Sequence, residues 1–211
     1  MAVNRTALAT AERRDLADFL ETLTPEQWGR PSLCSGWAVR DVVAHLVSYE
    51  EMGLGSFIGG FVRHGFRFGN MNERRLKEFG TRTPGELIAY VRAHAKPSGA
   101  TAVADARIGL TDGLIHHQDI RRALEMPRHV PPERLVPVLG FAMIAPPLPA
   151  KQNAQGLRLV ATDLDWSHGS GEEVTGPAEA LLMAVCGRAV ALPELAGPGL
   201  ATLESRVRRT G

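Results

Sequence analysis

The sequence predicts a mainly α-helical protein, with a helical bundle over residues 1–150 and a small α/β region over residues 151–211. Two observations support this prediction. Before residue 150, apolar residues recur at intervals of three and four in several segments, which is typical of amphipathic helices. After residue 155, "GLRLVAT" alternates apolar and polar residues, which is typical of a strand with one buried face.

Helix start signals and periodicity place the first elements of the bundle. Apolar residues near helical spacing predict a first helix over residues 5–23. In "TPEQW", Thr24 suits an N-cap and Pro25 the first helical position, so a short turn follows that ends at Trp28. A valine- and leucine-rich face predicts a second long helix over residues 38–52.

The later helices of the bundle are indicated in the same way. Residues 53–69 are interrupted by glycines, and "NMNERRLKEF" is interpreted as a short polar helix or a lid. "TPGEL" opens the next helix, with Thr83 and Glu86 forming a capping box. A helix over residues 101–124 stops before a proline, and one over residues 132–145 is expected to be broken by Pro137.

The C-terminal region contains fewer elements. We expect a strand over residues 156–162, a turn at "SHGSGEE" that includes His168, and a second short strand at "EVTG". A helix with Pro177 near its start follows.

Composition excludes several classes of function. The formal net charge of 211 residues is +1, so there is no strong basic field and no reason to expect nucleic acid as a partner. Two cysteines do not make a disulfide framework, which fits a reducing cytoplasm. We find no signal peptide core and no segment long enough to span a membrane. An exposed apolar face of the bundle could support a homodimer.

One stretch, "TDGLIHHQDIRRAL", contains carboxylate and imidazole side chains that could ligate a metal. Asp112 and His116 are four residues apart, so a helix places both on one face, and this pair can ligate a divalent metal. His45, in an apolar helix that can face them across the bundle, is the best third ligand, although a lone core histidine is more often hydrogen-bonded. His117 points about 100° away from His116 and is expected to be a supporting or a surface residue.

Neighbouring polar residues allow more than one interpretation. Asp119 either accepts the imidazole N–H of His116 or pairs with an arginine at the surface. Cys34 is interpreted as a packing residue, and Arg121 as solvated. Trp37 packs at the end of the bundle or walls a pocket.

The segments "LCSGWAVRDVVAHLV" and "DGLIHHQDIRRAL" resemble the mycothiol-dependent maleylpyruvate isomerase family, within the DinB/YfiT-like metalloprotein superfamily. The resemblance implies a DinB-like four-helix bundle with a divalent metal, usually zinc, held by His45, Asp112 and His116. Asp112 stands where the family has glutamate, which leaves open an intact zinc site, a different metal or a degenerate site. The C-terminal region also resembles tails of actinobacterial members.

The same resemblance implies a chemistry. A low-molecular-weight thiol, mycothiol, would be activated by the metal and would attack a small electrophilic substrate, either as a thiol-assisted isomerase or as a thiol S-transferase. The alternatives are a metal-dependent hydrolase and a non-catalytic metal-binding or ligand-binding protein. Beyond the three ligands, the sequence assigns no catalytic and no cofactor-binding residue.

Overall fold

The computed structural model describes residues 4–48, 79 and 81–210, with the backbone alone at residues 100 and 210. The chain divides into two compact units, Met1–Arg128 and His129–Gly211. This division falls earlier than the predicted domain boundary at residue 150, which stays a prediction. Elements are numbered below in chain order over the described residues.

The first unit is built on α-helices. They are α1 (Arg5–Leu20), α2 (Pro25–Trp28), α3 (Val39–Ser48), α4 (Pro84–Ala93) and α5 (Arg107–Ala123). Helix α1 contacts α4 and α5, and α3 contacts the same two helices, so α1, α4, α3 and α5 form a ring of four. The predicted four-helix bundle is therefore confirmed, and α3 and α5 are neighbours in it.

Apolar side chains fill the centre of this ring. Most of the apolar positions that predicted α1 and α3 are buried there, because both helices turn their apolar stripe inward. The core includes Leu16, Leu20, Val39, Val42, Val43, Leu46, Leu87 and Ile120.

The predicted capping box of α4 is present, and the predicted N-cap of α2 is part of a second one. The Thr24 hydroxyl accepts the Gln27 N–H while the Gln27 side chain accepts the Thr24 N–H, and Thr83 and Glu86 make the same reciprocal pair. Each box satisfies N–H groups that the first helical turn leaves without an intrahelical acceptor. These local signals explain why α2 and α4 begin where the sequence predicts.

Helix α5 begins later than predicted. Residues Gly99–Ala102 form a 3₁₀ turn, and Ala104, Asp105 and Ala106 all have positive φ, which interrupts the helix expected from residue 101. A Cβ at Gly109 would lie 2.9 Å from the Thr101 carbonyl oxygen, so glycine allows the 3₁₀ turn to pack closely on α5.

The second unit combines helices with a small sheet, as predicted. Strand β1 (Leu157–Ala161) lies between β2 (Ser167–Gly169), which is antiparallel to it, and β3 (Glu172–Gly176), which is parallel. The helices are α6 (Pro132–Ala142), α7 (Ala150–Asn153), α8 (Ala178–Val185) and α9 (Leu200–Thr210), with a 3₁₀ helix at Ala189–Glu194. Helix α8 contacts β1 and β3 and is buried on every side.

Two expectations for this unit are corrected, and one helix is added. Pro137 lies inside α6 without breaking it, because the buried Leu135, Val138 and Leu139 hold the helix although one backbone hydrogen bond is lost. Residues Ser167–Gly169, expected as a turn, pair with β1 as a strand, so His168 is an exposed strand residue. Helix α9 was not predicted; its buried Leu203 and Val207, four residues apart, could have indicated it.

The predictions for residues 53–69 lie outside the described residues, and so does "NMNERRLKEF" except for Phe79, which is helical and buried. Among the described helices, none is both long and apolar enough to cross a membrane.

A buried ionic cluster joins α1 to α5 and the segment that follows it. The Glu12 carboxylate accepts the Nδ1–H of His117 at 2.9 Å and also pairs with Arg128. Burial by itself raises the pKa of Glu12, but the His117 hydrogen bond and the Arg128 charge lower it to about 2. The carboxylate is therefore ionised and paired in the core.

This cluster predicts a loss of stability at low pH. The pKa of Glu12 is about 2 in the folded protein against 4.5 as its ordinary value. Its contribution, about 3 kcal/mol, is therefore complete above pH 4.5 and decreases as the pH falls toward 2. Glu12→Gln should lower the free energy of unfolding by about 3 kcal/mol at pH 7 and flatten this decrease, as measured by denaturant titration.

Glu133→Gln is the matched control, since Glu133 is exposed on α6. It should change stability by less than about 0.5 kcal/mol. Equal changes in the free energy of unfolding for the two substitutions would contradict the role of Glu12 as the buried carboxylate that pairs with His117 and Arg128.

Candidate metal site

Helix α5 arranges three polar side chains in one stripe. Asp112, His116 and Asp119 occupy positions i, i+4 and i+7, which lie above one another on a helix. Asp119 is fully buried, whereas the side chain of Asp112 is 31% exposed. The stripe therefore runs from the interior of the bundle toward solvent, with Asp112 at the accessible end.

His45 reaches this stripe from α3. It is buried at 8% exposure, and its neighbours on the helix are apolar core residues. Its Nε2 lies 3.7 Å from Asp112 Oδ1, and His116 Nε2 lies 3.5 Å from the same oxygen. The two imidazole rings meet edge to face with centroids 5.0 Å apart. The structure therefore brings together His45, Asp112 and His116, the three residues that the sequence selected as ligands.

The spacing of these three groups fits a metal ion better than direct hydrogen bonds. Distances of 3.5 and 3.7 Å exceed the roughly 2.9 Å of an ordinary N–H···O bond. Two ligand atoms about 2.0–2.2 Å from a tetrahedral zinc are themselves roughly 3.4 Å apart. Two imidazoles and a carboxylate are also a usual donor set of catalytic zinc sites, so these residues fit the ion.

A second group of potential ligand atoms lies beside the first. Cys34 Sγ, His116 Nδ1 and Asp119 Oδ2 all lie within 4.8 Å of one another. Here, however, His116 Nδ1 is 2.9 Å from Asp119 Oδ2, which is a hydrogen-bond distance and is shorter than the roughly 3.4 Å expected between two ligands of one zinc. The geometry therefore favours the first group as ligands and the second as their support.

Electrostatic interactions prepare the first group for a cation. Burial by itself raises the pKa of Asp112, but the charge of His116, with a further contribution from the nearby His45, lowers it to about 2. Burial by itself lowers the pKa of His116, and Asp112, Asp119 and Cys34 together raise it well above its usual value. Asp112 is thus an ionised carboxylate at neutral pH, and a metal bound by these residues would displace a proton from His116.

The orientation of His116 is set by Asp119. An ionised carboxylate only accepts hydrogen bonds, so His116 donates its Nδ1–H to Asp119 and directs Nε2 at Asp112 and His45. Of the two roles considered for Asp119, the structure shows the hydrogen bond to His116.

Cys34 packs against the core, as predicted, and its thiol is also close to the candidate site, which was not predicted. Its Sγ lies 3.2 Å from Asp119 Oδ2 and 3.5 Å from His116 Nδ1. This contact is possible because α3 begins only at Val39 and Cys34 belongs to the loop before it. In that loop, Leu33 donates its N–H to the Asp119 carbonyl at 3.2 Å, which ties the loop to α5.

A tight turn in this loop could have been recognised from the sequence. Trp37 donates its N–H to the Cys34 carbonyl at 3.0 Å, and Gly36 between them has φ +76°. Glycine suits the third position of such a turn because a side chain is strained at positive φ. "CSGW" is therefore a turn signal that returns the chain toward its starting point, and the Trp37 ring packs 5.0 Å from that of His45 as a wall of the site.

His117 faces away from the candidate site, as the helical phase predicts. It is fully buried, donates Nδ1–H to Glu12 and accepts from Arg121 Nε at Nε2. Both of its nitrogens are therefore committed to other partners. Arg121 is correspondingly not the solvated residue that was expected, since its guanidinium also lies 3.8 Å from the centre of the Phe19 ring.

Comparison with known proteins agrees with this fold. Residues 9–107 match the family model of the mycothiol maleylpyruvate isomerase N-terminal domain. The crystal structure of the mycothiol-dependent maleylpyruvate isomerase is similar with a TM-score of 0.60, and that of a histidine-to-alanine mutant of it with 0.58. Both alignments have 14% identity and cover 94% of this chain and 93% of that chain. The curated protein sequences give no significant match.

The fold and the polar cluster define a class of protein: a DinB-like helical bundle, followed by a small α/β region, with potential metal ligands between two neighbouring helices. Within that class, residues 9–107 are similar to the mycothiol maleylpyruvate isomerase N-terminal domain.

The geometry predicts different roles for the three histidines of α3 and α5. Protein purified without a chelating tag should hold up to about one divalent metal per chain, and His45→Ala or His116→Ala should abolish it. His117→Ala should keep the metal but lower the free energy of unfolding by about 2 kcal/mol, because Glu12 loses a buried donor. Elemental analysis and denaturant titration measure the two effects.

The comparison of the adjacent His116 and His117 is its own control, since both substitutions remove an imidazole from the same turn of α5. Equal metal loss in these two variants would mean that the assignment of faces is wrong.

Proposed function

We propose that this protein is a metal-dependent enzyme that uses a low-molecular-weight thiol, mycothiol, to isomerise a small electrophilic substrate. The metal, zinc by preference for this donor set, is held by His45, Asp112 and His116. The observation that carries the proposal is the convergence of these three side chains at ligand spacing in a fold shared with the mycothiol-dependent maleylpyruvate isomerase.

Three protein ligands leave one position of a tetrahedral ion for an exogenous group. Zinc held by the three side chains would supply the positive charge that lowers the pKa of a thiol coordinated at the open position into the neutral range. Asp112 is the most exposed of the three ligands, and His45 and His116 are more buried, so the open position is expected on the side of Asp112.

The residues around the ligands have separate tasks in this proposal. Asp119 fixes the ring of His116, so the ligand needs no reorientation when the metal enters. Trp37 packs on His45 and excludes water from that side of the site. Exclusion of water matters because it strengthens the interaction between the ion and an anionic sulfur.

An isomerase follows from the chemistry of an activated thiol. A nucleophilic sulfur that adds reversibly to a conjugated double bond converts it to a single bond, about which rotation is possible, and elimination then restores the double bond and the thiol. The thiol is consumed and regenerated in each cycle and is therefore a cofactor. This requirement restricts the substrate to small molecules whose double bond is conjugated with a carbonyl group.

The proposal is tested with the zinc-loaded protein. Mycothiol should bind in isothermal titration, and its binding should be lost after His45→Ala. Cis–trans isomerisation of maleylpyruvate should then be seen only when protein, metal and thiol are all present. Metal binding without thiol binding would indicate a hydrolase, and thiol binding without turnover would indicate a binding protein.

The length of the carboxylate ligand gives a sharper prediction. Asp112 Oδ1 already lies 3.5 and 3.7 Å from the two imidazole nitrogens, so the spacing of α3 and α5 suits aspartate. Asp112→Glu, which restores the usual residue of the family, should overfill the site and weaken zinc binding by about tenfold. Chelator competition measures the affinity.

Asp112→Asn is the control at constant size. It removes the negative charge and should weaken zinc binding more than Asp112→Glu does, because a neutral amide is a poorer ligand. Unchanged zinc affinity in Asp112→Asn would mean that Asp112 is an ordinary surface carboxylate of α5, and two ligands would not suffice for the proposed chemistry.

A further inference from the structure

We infer that Cys34 is a positioning residue: its thiol and the turn that carries it hold Asp119, and through Asp119 they hold His116 with Nε2 directed at the metal. The inference rests on the proposed function for its consequence, the metal affinity, but its structural part concerns the hydrogen bonds of His116 and Asp119 and can be tested without metal.

The hydrogen bonds of Cys34 and His116 meet at the buried Asp119. Its carboxylate is fully buried, and a buried carboxylate requires hydrogen-bond donors to compensate for lost water. The oxygen that accepts the His116 Nδ1–H at 2.9 Å also accepts the Cys34 thiol at 3.2 Å. The two donors therefore converge on one oxygen, and the thiol restrains that oxygen at the position from which it orients the imidazole.

The loop that carries Cys34 is held in place by hydrogen bonds within the loop and to α5. The Ser32 hydroxyl donates to the Trp37 carbonyl at 2.8 Å and accepts the Cys34 N–H at 3.1 Å, which closes the loop on itself. The Leu33 N–H bonds the Asp119 carbonyl, so backbone and side chain of Asp119 are both held by residues of the same short segment. Cys34 is thus delivered to Asp119 by several fixed contacts.

The position of the Cys34 sulfur argues against its being a ligand of the metal. The sulfur lies on the Nδ1 side of His116, whereas His45 and Asp112 are on the Nε2 side. The Nδ1 nitrogen is already engaged with Asp119, and the opposite nitrogen is left for the ion. Cys34 therefore acts through Asp119 and His116 and does not contact the metal.

The experiment compares Cys34→Ala, Cys34→Ser and Asp119→Asn with the wild type. Zinc affinity is measured by chelator competition. The His116 Nδ1–H is followed by NMR of histidine-labelled protein, where a buried imidazole proton bonded to a carboxylate should give a downfield, slowly exchanging resonance. Cys186→Ala is the matched control, because it removes the other cysteine, which is buried in the second unit.

We expect Asp119→Asn to weaken zinc binding by about 10–100-fold and Cys34→Ala by about tenfold, with the His116 resonance lost or exchange-broadened in both. Cys34→Ser should restore both readouts to near wild-type values, since a hydroxyl can donate to the same oxygen. Cys186→Ala should change neither readout. A purely structural role of Cys34 would lower stability in denaturant titration without this rescue by serine.

Three results would overturn the inference. One is a wild-type resonance and affinity in Cys34→Ala. Another is failure of Cys34→Ser to restore them. The third is a thiolate-to-cobalt charge-transfer band in the Co²⁺-substituted wild type that disappears in Cys34→Ala, since it would make Cys34 a ligand. If the wild type binds no metal, the proposed function fails, while the NMR comparison still decides the role of Cys34.

Discussion

The contact between α3 and α5 is the interaction on which the candidate site depends. It is made by the apolar stripe of α3, and it buries His45 opposite Asp112 and His116. Because the core side chains set the distance between the two helix axes, they also set the distance between candidate ligands that come from different helices. The positions of the polar groups are in this sense a consequence of how valine and leucine pack.

Helix α5 carries two polar systems on opposite faces, and this explains its two adjacent histidines. His116 belongs to the face toward α3, where its free nitrogen is directed at Asp112. His117 belongs to the face toward α1, where Glu12 and Arg121 occupy both nitrogens. Each face needs its own counter-charges because an isolated charge in the core is costly. The same helix therefore contributes to a candidate metal centre and to the cross-link that stabilises the bundle.

The loop before α3 contacts residues of the candidate site on both helices. In the short loop before α3, Cys34 contacts Asp119 and Trp37 contacts His45. A single turn therefore contacts a candidate ligand on α3 and, on α5, the residue that orients another candidate ligand. Through these contacts the loop connects the side chain of Asp119 on α5 with that of His45 on α3. It also accounts for the glycine at residue 36, whose positive φ closes the turn.

Local signals in the sequence determined the start of α2 and α4, the spacing that places Asp112 and His116 on one face, and the strands β1 and β3, because each depends on residues a few positions apart. Only the tertiary structure decided the role of Cys34, the contacts of His117 and Arg121, the strand at Ser167–Gly169 and the continuity of α6 through Pro137. The polar contacts among these need partners far away in the chain: Cys34 and Asp119 are 85 positions apart, and Glu12 and His117 are 105. Periodicity shows which face of a helix is buried, but the partner of a buried polar group depends on which elements the core brings into contact.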